Sequence, residues 1–523
     1  MGTETDGFVP IRRALLAVSD KSGLVDFARR LTALHIDLVA TDGTRARLQE
    51  AGIAARSVEE VGGPAAAFGG RIKTLHPSLL GPILAPRTAS GRAELAAQRL
   101  EPIDLVVVNF YPFAEQARAG GDADALAEAI DIGGVTLARA AAKNSESVAV
   151  VTDPGEYPHV AEELERNAGS LSATTRQRLA RAAFRRTAAY DVEIANGIAP
   201  PRGTKGDPFP DLLLLDRSEV ALRYGENPHQ AGAVFRRAAP SSAPIPPTTL
   251  ISEKGPPLSY TNLLDLDTAL GVVAEFDRPA AAIVKHATVC GAATTETVGE
   301  ALAAALATDP VARYGCTIAV NRPFPADATA SLKGVFVDVL AAPDYAVEAR
   351  RALDRRPKLK TVRVEPPPPD GARWELRSAA GHVLVQEIDR RPLVPADFKQ
   401  VSQRSASDAD RASLEFAWRV ARHARSNSIV LAQGTQTVGI GSGQPTRVTA
   451  VELAVRVAGD RAQGSALASD AFFPFADGID VAGKAGIGAI LQPGGSVRDA
   501  EVIAAADRWK MAMYFTGWRI FRH

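Results

Sequence analysis

ALLAVSDKSGLVDFARRLTALHIDLVATDGTR, residues 14–45, is the stretch from which the fold of the first part of the chain can be read. ALLAV is an unbroken apolar run of strand length, GLVDFARRLTALH spaces its apolar residues at a helical period, and IDLVA is a second apolar run. Strands without polar alternation are covered on both faces, and helices between them make the crossovers, so the pattern predicts a parallel sheet. It continues through TRARLQEAG (44–52), PIDLVVVNFYPF (102–113) and SVAVVTDP (147–154), with helical stretches expected over 156–167 and 172–196. The reading is a doubly wound α/β domain. GIAPPRGTKGDPFP (197–210), crowded with Pro and Gly and without apolar period, marks its end near residue 200. We therefore divide the chain into 1–200 and 201–523.

The second part mixes strands with Ala-rich helices such as SLEFAWRVARHAR (413–425), and its periodicity supports only a mixed α/β class. PSSAPIPP (240–247) and EPPPPDG (365–371) read as surface loops or joints. No short repeat at a fixed period appears, which argues against a solenoid.

The chain has 523 residues, too many for one hydrophobic core, and 46% of them are hydrophobic. Sixty basic residues balance sixty acidic ones without long single-sign runs, so neither nucleic acid nor an anionic membrane is an expected partner. MGTETDGFVP at the start has no secretory pattern, and no apolar run approaches the roughly 18 residues of a bilayer span. Only Cys290 and Cys316 are present, which fits a reducing, cytoplasmic setting.

Three places carry candidate chemistry. In AVSDKSG a strand ends at Val18 and a helix is expected from about Ser22, so Ser19, Lys21 and the first helical amides suit an anion. ATDGTR repeats the device one strand later with Thr41, Gly43 and Thr44, and two such loops predict a phosphate pocket at the carboxyl edge of the sheet. IVKHATVCGAA (283–293) ends an apolar strand with Lys285 and His286, a base that titrates near neutrality beside an ammonium able to neutralise a developing oxyanion. RYGENPHQ (223–230) adds Arg223 and Tyr224 as anion or ring binders.

Together with ARSNSIVLAQGTQTVGIGSGQ (424–444), SDAFFPFADGID (469–480) and FTGWRIFRH (515–523), these strings closely resemble the transformylase half of the bifunctional purine biosynthesis enzymes that act on aminoimidazole carboxamide ribotide (AICAR). AVSDKSGLVDFARRL (17–31), GGRIKTLHP (69–77), VNFYPF (108–113) and DIGGVTLARAAAKN (131–144) resemble their inosinate (IMP) cyclohydrolase domain. The resemblance spans essentially the whole chain. It implies a methylglyoxal-synthase-like first domain and a pair of cytidine-deaminase-like subdomains after it.

The implied reactions are formyl transfer from 10-formyltetrahydrofolate to AICAR and cyclodehydration of the product to IMP. In the first domain the resemblance implies that Lys143 and Asp131 position and deprotonate the carboxamide. Lys73 and Tyr111 would stabilise the tetrahedral oxygen, with Arg71, Thr74 and Asn109 in support. In the second, His286 would be the base, Lys285 the acid or oxyanion stabiliser, and Asn427 a holder of the formyl oxygen. Arg223 and Arg519 would bind phosphate near Tyr224, and Phe472, Phe473, Phe475 and Asp477 would meet the heterocycle or folate. A homodimer with transformylase sites shared between subunits is implied as well. Ala17, Val289, Cys316, Pro445 and Ile520 depart from the family pattern without removing a proposed catalytic side chain. The chain lacks the His-x-Glu and Cys-x-x-Cys patterns that hold zinc in deaminases, so no catalytic metal is expected.

Overall fold

In a computed structural model, residues 7–62, 72, 74–198, 209–218, 220–237, 251–366, 374–389 and 391–523 are described. The chain forms two compact units. The first ends at Asp216 and the second runs from Arg217 to the C-terminus, apart from a short return to the first unit at Arg237. The boundary expected near residue 200 lies outside the described residues.

The first unit is built on a five-stranded sheet in the order Arg56–Ser57, Asp37–Ala40, Arg13–Ala17, Leu105–Val108, Ala149–Val151. Every pairing is parallel. Alternate residues of each strand face opposite ways and both faces are apolar. Leu16, Leu38 and Val107 join Phe27 and Leu31 of the helix Leu24–Ala33 in one core. Leu15, Val39 and Val106 join Leu137 and Ala141 of the helix Gly133–Lys143 in another. Strand order reverses between Arg13–Ala17 and Leu105–Val108, which creates a switch point at the carboxyl edge. Tyr157–Arg166 and Ala173–Ile198 are the two helices expected late in the domain.

The second unit holds a 12-stranded mixed sheet. Its first six strands are, in order, Ile251–Lys254, Lys360–Arg363, Val337–Ala342, Cys316–Val320, Ala280–Lys285 and Thr288–Thr294. Gln436–Gly441, Ile429–Gln433, Ala466–Ser469, Ala489–Gln492, Ala512–Phe515 and Lys399–Gln400 complete it. The two sets are one plan used twice: an edge strand, a helix (Tyr260–Val273 or Asp408–Ala421), an antiparallel hairpin, a helix (Val298–Ala307 or Arg447–Ala458), then three strands that pair in parallel.

Local chemistry repeats too. Ser259 and Ser407 each close a capping box with the residue three on. A side chain on Gly291 or Gly439 would strike the carbonyl of Ala305 or Ala454, so each hairpin lies tight against its following helix. The halves join where Ala293 pairs with Gln436. Helices Tyr260–Val273 and Asp408–Ala421 share one core around Trp418, while Val298–Ala307 and Arg447–Ala458 each cover their own half of the other face. The duplication is tertiary. Its unit is far longer than the 20 to 50 residues over which sequence repeats are sought.

Candidate active sites

At the carboxyl edge of the first sheet the loops are tied to one another. Asn109 Oδ1 accepts from the amides of Ser19 (2.6 Å) and Asp20 (2.9 Å), and its Nδ2 donates to the Asp20 carbonyl. Thr44 is buried, and its hydroxyl accepts from Val18 N and donates to Val18 O, each at 3.2 Å. One expectation changes here: the Thr44 hydroxyl is turned to Val18, so it braces the loops and is not the phosphate donor expected. The helix starts at Leu24, two residues after Ser22, following Gly23 in a left-handed conformation. The amides of Ser19 and Asp20, which precede that helix, are taken by Asn109. Lys21 is half-buried, with Nζ on the carbonyls of Val18 (3.1 Å) and Ser19 (3.3 Å). Thr41 precedes the helix Asp42–Glu50, and Gly43 in its first turn faces open space.

Asp131 is buried at the start of the helix Gly133–Lys143, where Oδ1 accepts from Gly134 N at 2.7 Å. The glycines there are needed: a side chain on Gly133 would strike Thr74 Oγ1, and one on Gly134 the Asp131 carboxylate. Asp131 N donates to Tyr190 Oη (2.9 Å), and the Tyr190 ring lies 5.0 Å from Phe110, next to Tyr111. Tyr111 is 38% exposed. Asn109, Tyr111, Thr74 and Asp131 thus share the carboxyl edge.

Lys143 does not join them. It ends the helix whose first turn Asp131 bonds, about 15 Å along the axis from Gly133 at 1.5 Å per residue, and the strand Ala149–Val151 starts just beyond it, so it stands at the amino edge. Lys143 and Asp131, expected to act together on the carboxamide, therefore stand at opposite edges of the sheet. Lys73 and Arg71 lie outside the described residues.

In the second unit, four separated strings converge. Lys285 and Thr288 close a two-residue hairpin loop, which puts His286 at the exposed tip with φ 55°. Lys285 Nζ donates to the Tyr314 carbonyl at 2.8 Å. Arg425 Nε reaches the Ala287 carbonyl (3.4 Å) and brings in the segment that contains Asn427. That segment pairs with the chain end through Ser426 N and the Arg522 carbonyl (2.8 Å), while Ile520 N bonds the Asp470 carbonyl (3.0 Å), so Arg519 and Phe472 arrive together. Arg223 N bonds the Leu258 carbonyl, and Tyr224 O accepts from Tyr260 N, so this pair sits at the start of the helix Tyr260–Val273.

Two assignments change in this unit. Asn427 Nδ2 donates to the carbonyls of Gln444 (2.8 Å) and Pro445 (3.2 Å), and Oδ1 accepts from Arg447 (2.7 Å), which leaves no amide hydrogen for a formyl oxygen. Phe473 is fully buried against Val451 and Ile479, so it is core and does not meet a ligand. Phe472, Phe475, Asp477 and Arg519 are exposed, with Arg498 over Phe475 and Arg519 over Phe521.

The reading of the sequence missed the residues behind these sites. Tyr190 supports Asp131, and burial pushes its phenol up to about 12. Asp265 bonds the Ala287 amide from below the His286 loop. Asp470, fully buried, binds Ser428 N (3.0 Å), Ser426 Oγ and Arg447 on either side of Asn427. Tyr190 and Asp265 lie on ordinary helical stretches and Asp470 just past the end of the strand Ala466–Ser469, where only long-range contact reveals a role. Among the described residues no group of three His, Cys, Asp or Glu is placed to hold a metal ion, and no helix is long and apolar enough to cross a membrane.

Residues 141–457 match the family model described as AICARFT/IMPCHase bienzyme, and residues 23–136 match that of the MGS-like domain. The chain is 45% identical to the bifunctional purine biosynthesis protein PurH of Desulfitobacterium hafniense, over 98% of this chain and all of the relative. The PurH of Anaeromyxobacter sp. strain K is likewise 45% identical over 98% of this chain and 100% of its own, and that of Xanthomonas campestris pv. campestris 44% identical over 99% of each.

Proposed function

The chain belongs to the AICARFT/IMPCHase bienzyme family, and from that premise we propose how its two reactions are divided between the two units. It is a bifunctional enzyme of purine biosynthesis that formylates AICAR and closes the formylated product to IMP.

Formyl transfer belongs to the second unit, with 10-formyltetrahydrofolate as donor. The 5-amino nitrogen is a poor nucleophile because its lone pair is delocalised into the ring and carboxamide. His286 takes its proton as it attacks the formyl carbon. Lys285 keeps two ammonium protons after its bond to Tyr314, enough to stabilise the tetrahedral oxyanion. The bond from carbon to the folate N10 then breaks, and that nitrogen takes a proton. Arg223 and Arg519 suit the substrate phosphate beside Tyr224, and Phe472, Phe475 and Asp477 suit a ring system. Asn427 braces the segment that faces the His286 loop.

Ring closure belongs to the carboxyl edge of the first sheet. Asp131 accepts the proton of the carboxamide nitrogen as it attacks the formyl carbon and Tyr111 and Lys73 stabilise the oxygen, which then takes that proton and the one lost by the formamido nitrogen and leaves as water. Lys21 suits the phosphate. We place the enzyme in the cytoplasm as a homodimer, with no metal step.

The observation that carries this reading is His286, exposed at the tip of a two-residue loop beside an anchored Lys285. A coupled assay for IMP from AICAR and 10-formyltetrahydrofolate tests it. Formylation without closure would leave the first unit a nucleotide-binding regulator, and failure of both steps would make the chain a nucleotide sensor.

A further inference from the structure

We propose that Asp265 is the positioning residue for His286, its buried carboxylate holding the hairpin tip in the backbone conformation that presents the imidazole. The inference rests on the reading of His286 as the base in formyl transfer. Both residues of the loop, His286 (φ 55°) and Ala287 (φ 51°), are left-handed, a conformation in which a Cβ is disfavoured and for which two-residue loops ordinarily use Asn and Gly. Such a turn persists only where its surroundings over-determine it.

Those surroundings are present. Asp265, on the helix Tyr260–Val273, accepts from Ala287 N at 2.5 Å, a charge-assisted bond made out of water. Arg425 holds the Ala287 carbonyl, and Thr288 Oγ1 donates to the His286 carbonyl. Thr317 Oγ1 approaches the other Asp265 oxygen at 3.5 Å. Burial raises the Asp265 pKa, and the Ala287 amide and the nearby His286 act in the opposite direction.

The duplicated half supplies an internal control. Its hairpin loop, closed by Gln433 and Gln436, has Gly434 (φ 59°) where the first half has His286. There the helix reaches up with Ser413, whose neutral hydroxyl accepts from Gly434 N at 2.8 Å. Where the left-handed residue is glycine, a hydroxyl suffices. Where it is an imidazole followed by alanine, the chain has a buried carboxylate. Of these two hairpins, the one beneath the proposed base combines the strain with a charge that restrains it.

A mutant cycle on the full-length protein tests this, with formyl transfer and ring closure measured separately. Asp265→Ala is expected to lower kcat for formyl transfer by about 10- to 100-fold, the scale of a side chain displaced by about an ångström, with ring closure near wild type. Adding Ala287→Gly, which relieves the left-handed strain, should restore several-fold of that loss. In a His286→Ala background Asp265→Ala should add little, since it acts through the imidazole. Asp265→Asn keeps an acceptor oxygen without the charge, guards against misfolding, and should still lose several-fold. Wild-type transfer by either folded Asp265 variant overturns the proposal, as does an Asp265→Ala loss of equal size with and without His286. Normal transfer by His286→Ala alone would instead overturn the base reading.

Discussion

Asn109 Oδ1 receives the Ser19 amide at 2.6 Å across the point where the first sheet reverses its strand order. One side chain thereby sets the spacing of the two loops between which a ligand would lie. Asn109→Ala leaves two loop amides without their shared acceptor. The expected result is a stability loss of about 1–3 kcal/mol in the first unit and ring closure reduced at least tenfold, with formyl transfer unchanged. Thermal unfolding and separate assays of both steps check it, and wild-type ring closure would refute it.

Asp131 and Lys143 stand at opposite ends of one helix, so their replacements should differ. Asp131→Ala is expected to cost ring closure about 100-fold or more by removing the proton acceptor. Lys143→Ala should stay near wild type. A Lys143→Ala protein that folds normally but accumulates the formylated nucleotide would contradict this placement.

His286→Ala should lower formyl transfer by roughly 100- to 10,000-fold, the range of a positioned acid-base group, while ring closure survives. Lys285→Ala should show a comparable defect through loss of oxyanion stabilisation. Near-normal transfer by His286→Ala would return the pair to a hairpin turn and nothing more.

Acid should weaken the second unit through His423. This buried imidazole receives Arg522 on Nδ1 (3.2 Å) and gives its Nε2–H to Glu275 (2.9 Å), an arrangement that needs the neutral ring. Burial lowers the His423 pKa. Burial raises that of Glu275, but His423, Arg422 and Arg419 outweigh it and leave the carboxyl lowered. Both folded pKa values lie below the unfolded ones, so the unfolded chain binds more protons as pH falls. Stability should be full above about pH 6.5, fall first as His423 titrates in the unfolded state, and fall again through the carboxylate range. Urea midpoints followed from pH 7.5 to 5.5 test the first step, which His423→Gln should flatten.

The first unit should need the chain beyond residue 200. Asn196 exchanges two hydrogen bonds with Leu212, and Arg185 pairs with Asp216. A fragment 1–216 is expected to unfold at a higher temperature than 1–200, both retaining ring closure. Equal melting would show that the added residues contribute nothing.

Strand and helix alternation was legible in the sequence by itself because it depends on residues a few positions apart: ALLAV, IDLVA and LVVV are strands, and the amphipathic stretches between them are helices. The strings around Lys285, His286, Arg519 and Asn427 stood out in the sequence, but not the contacts that bring them together. Only the tertiary structure decided which polar groups are left for chemistry. Asn109 takes the Ser19 amide 90 residues away, Thr44 turns to Val18, and Asn427 spends its amide on Gln444 and Pro445. It also sent Lys143 to the far edge of its sheet, sank Phe473 into the core, and set Asp265 beneath His286. A periodic pattern specifies which face of an element is buried. The partner that satisfies each buried donor or acceptor is chosen by contacts between distant segments, and no local spacing encodes that choice.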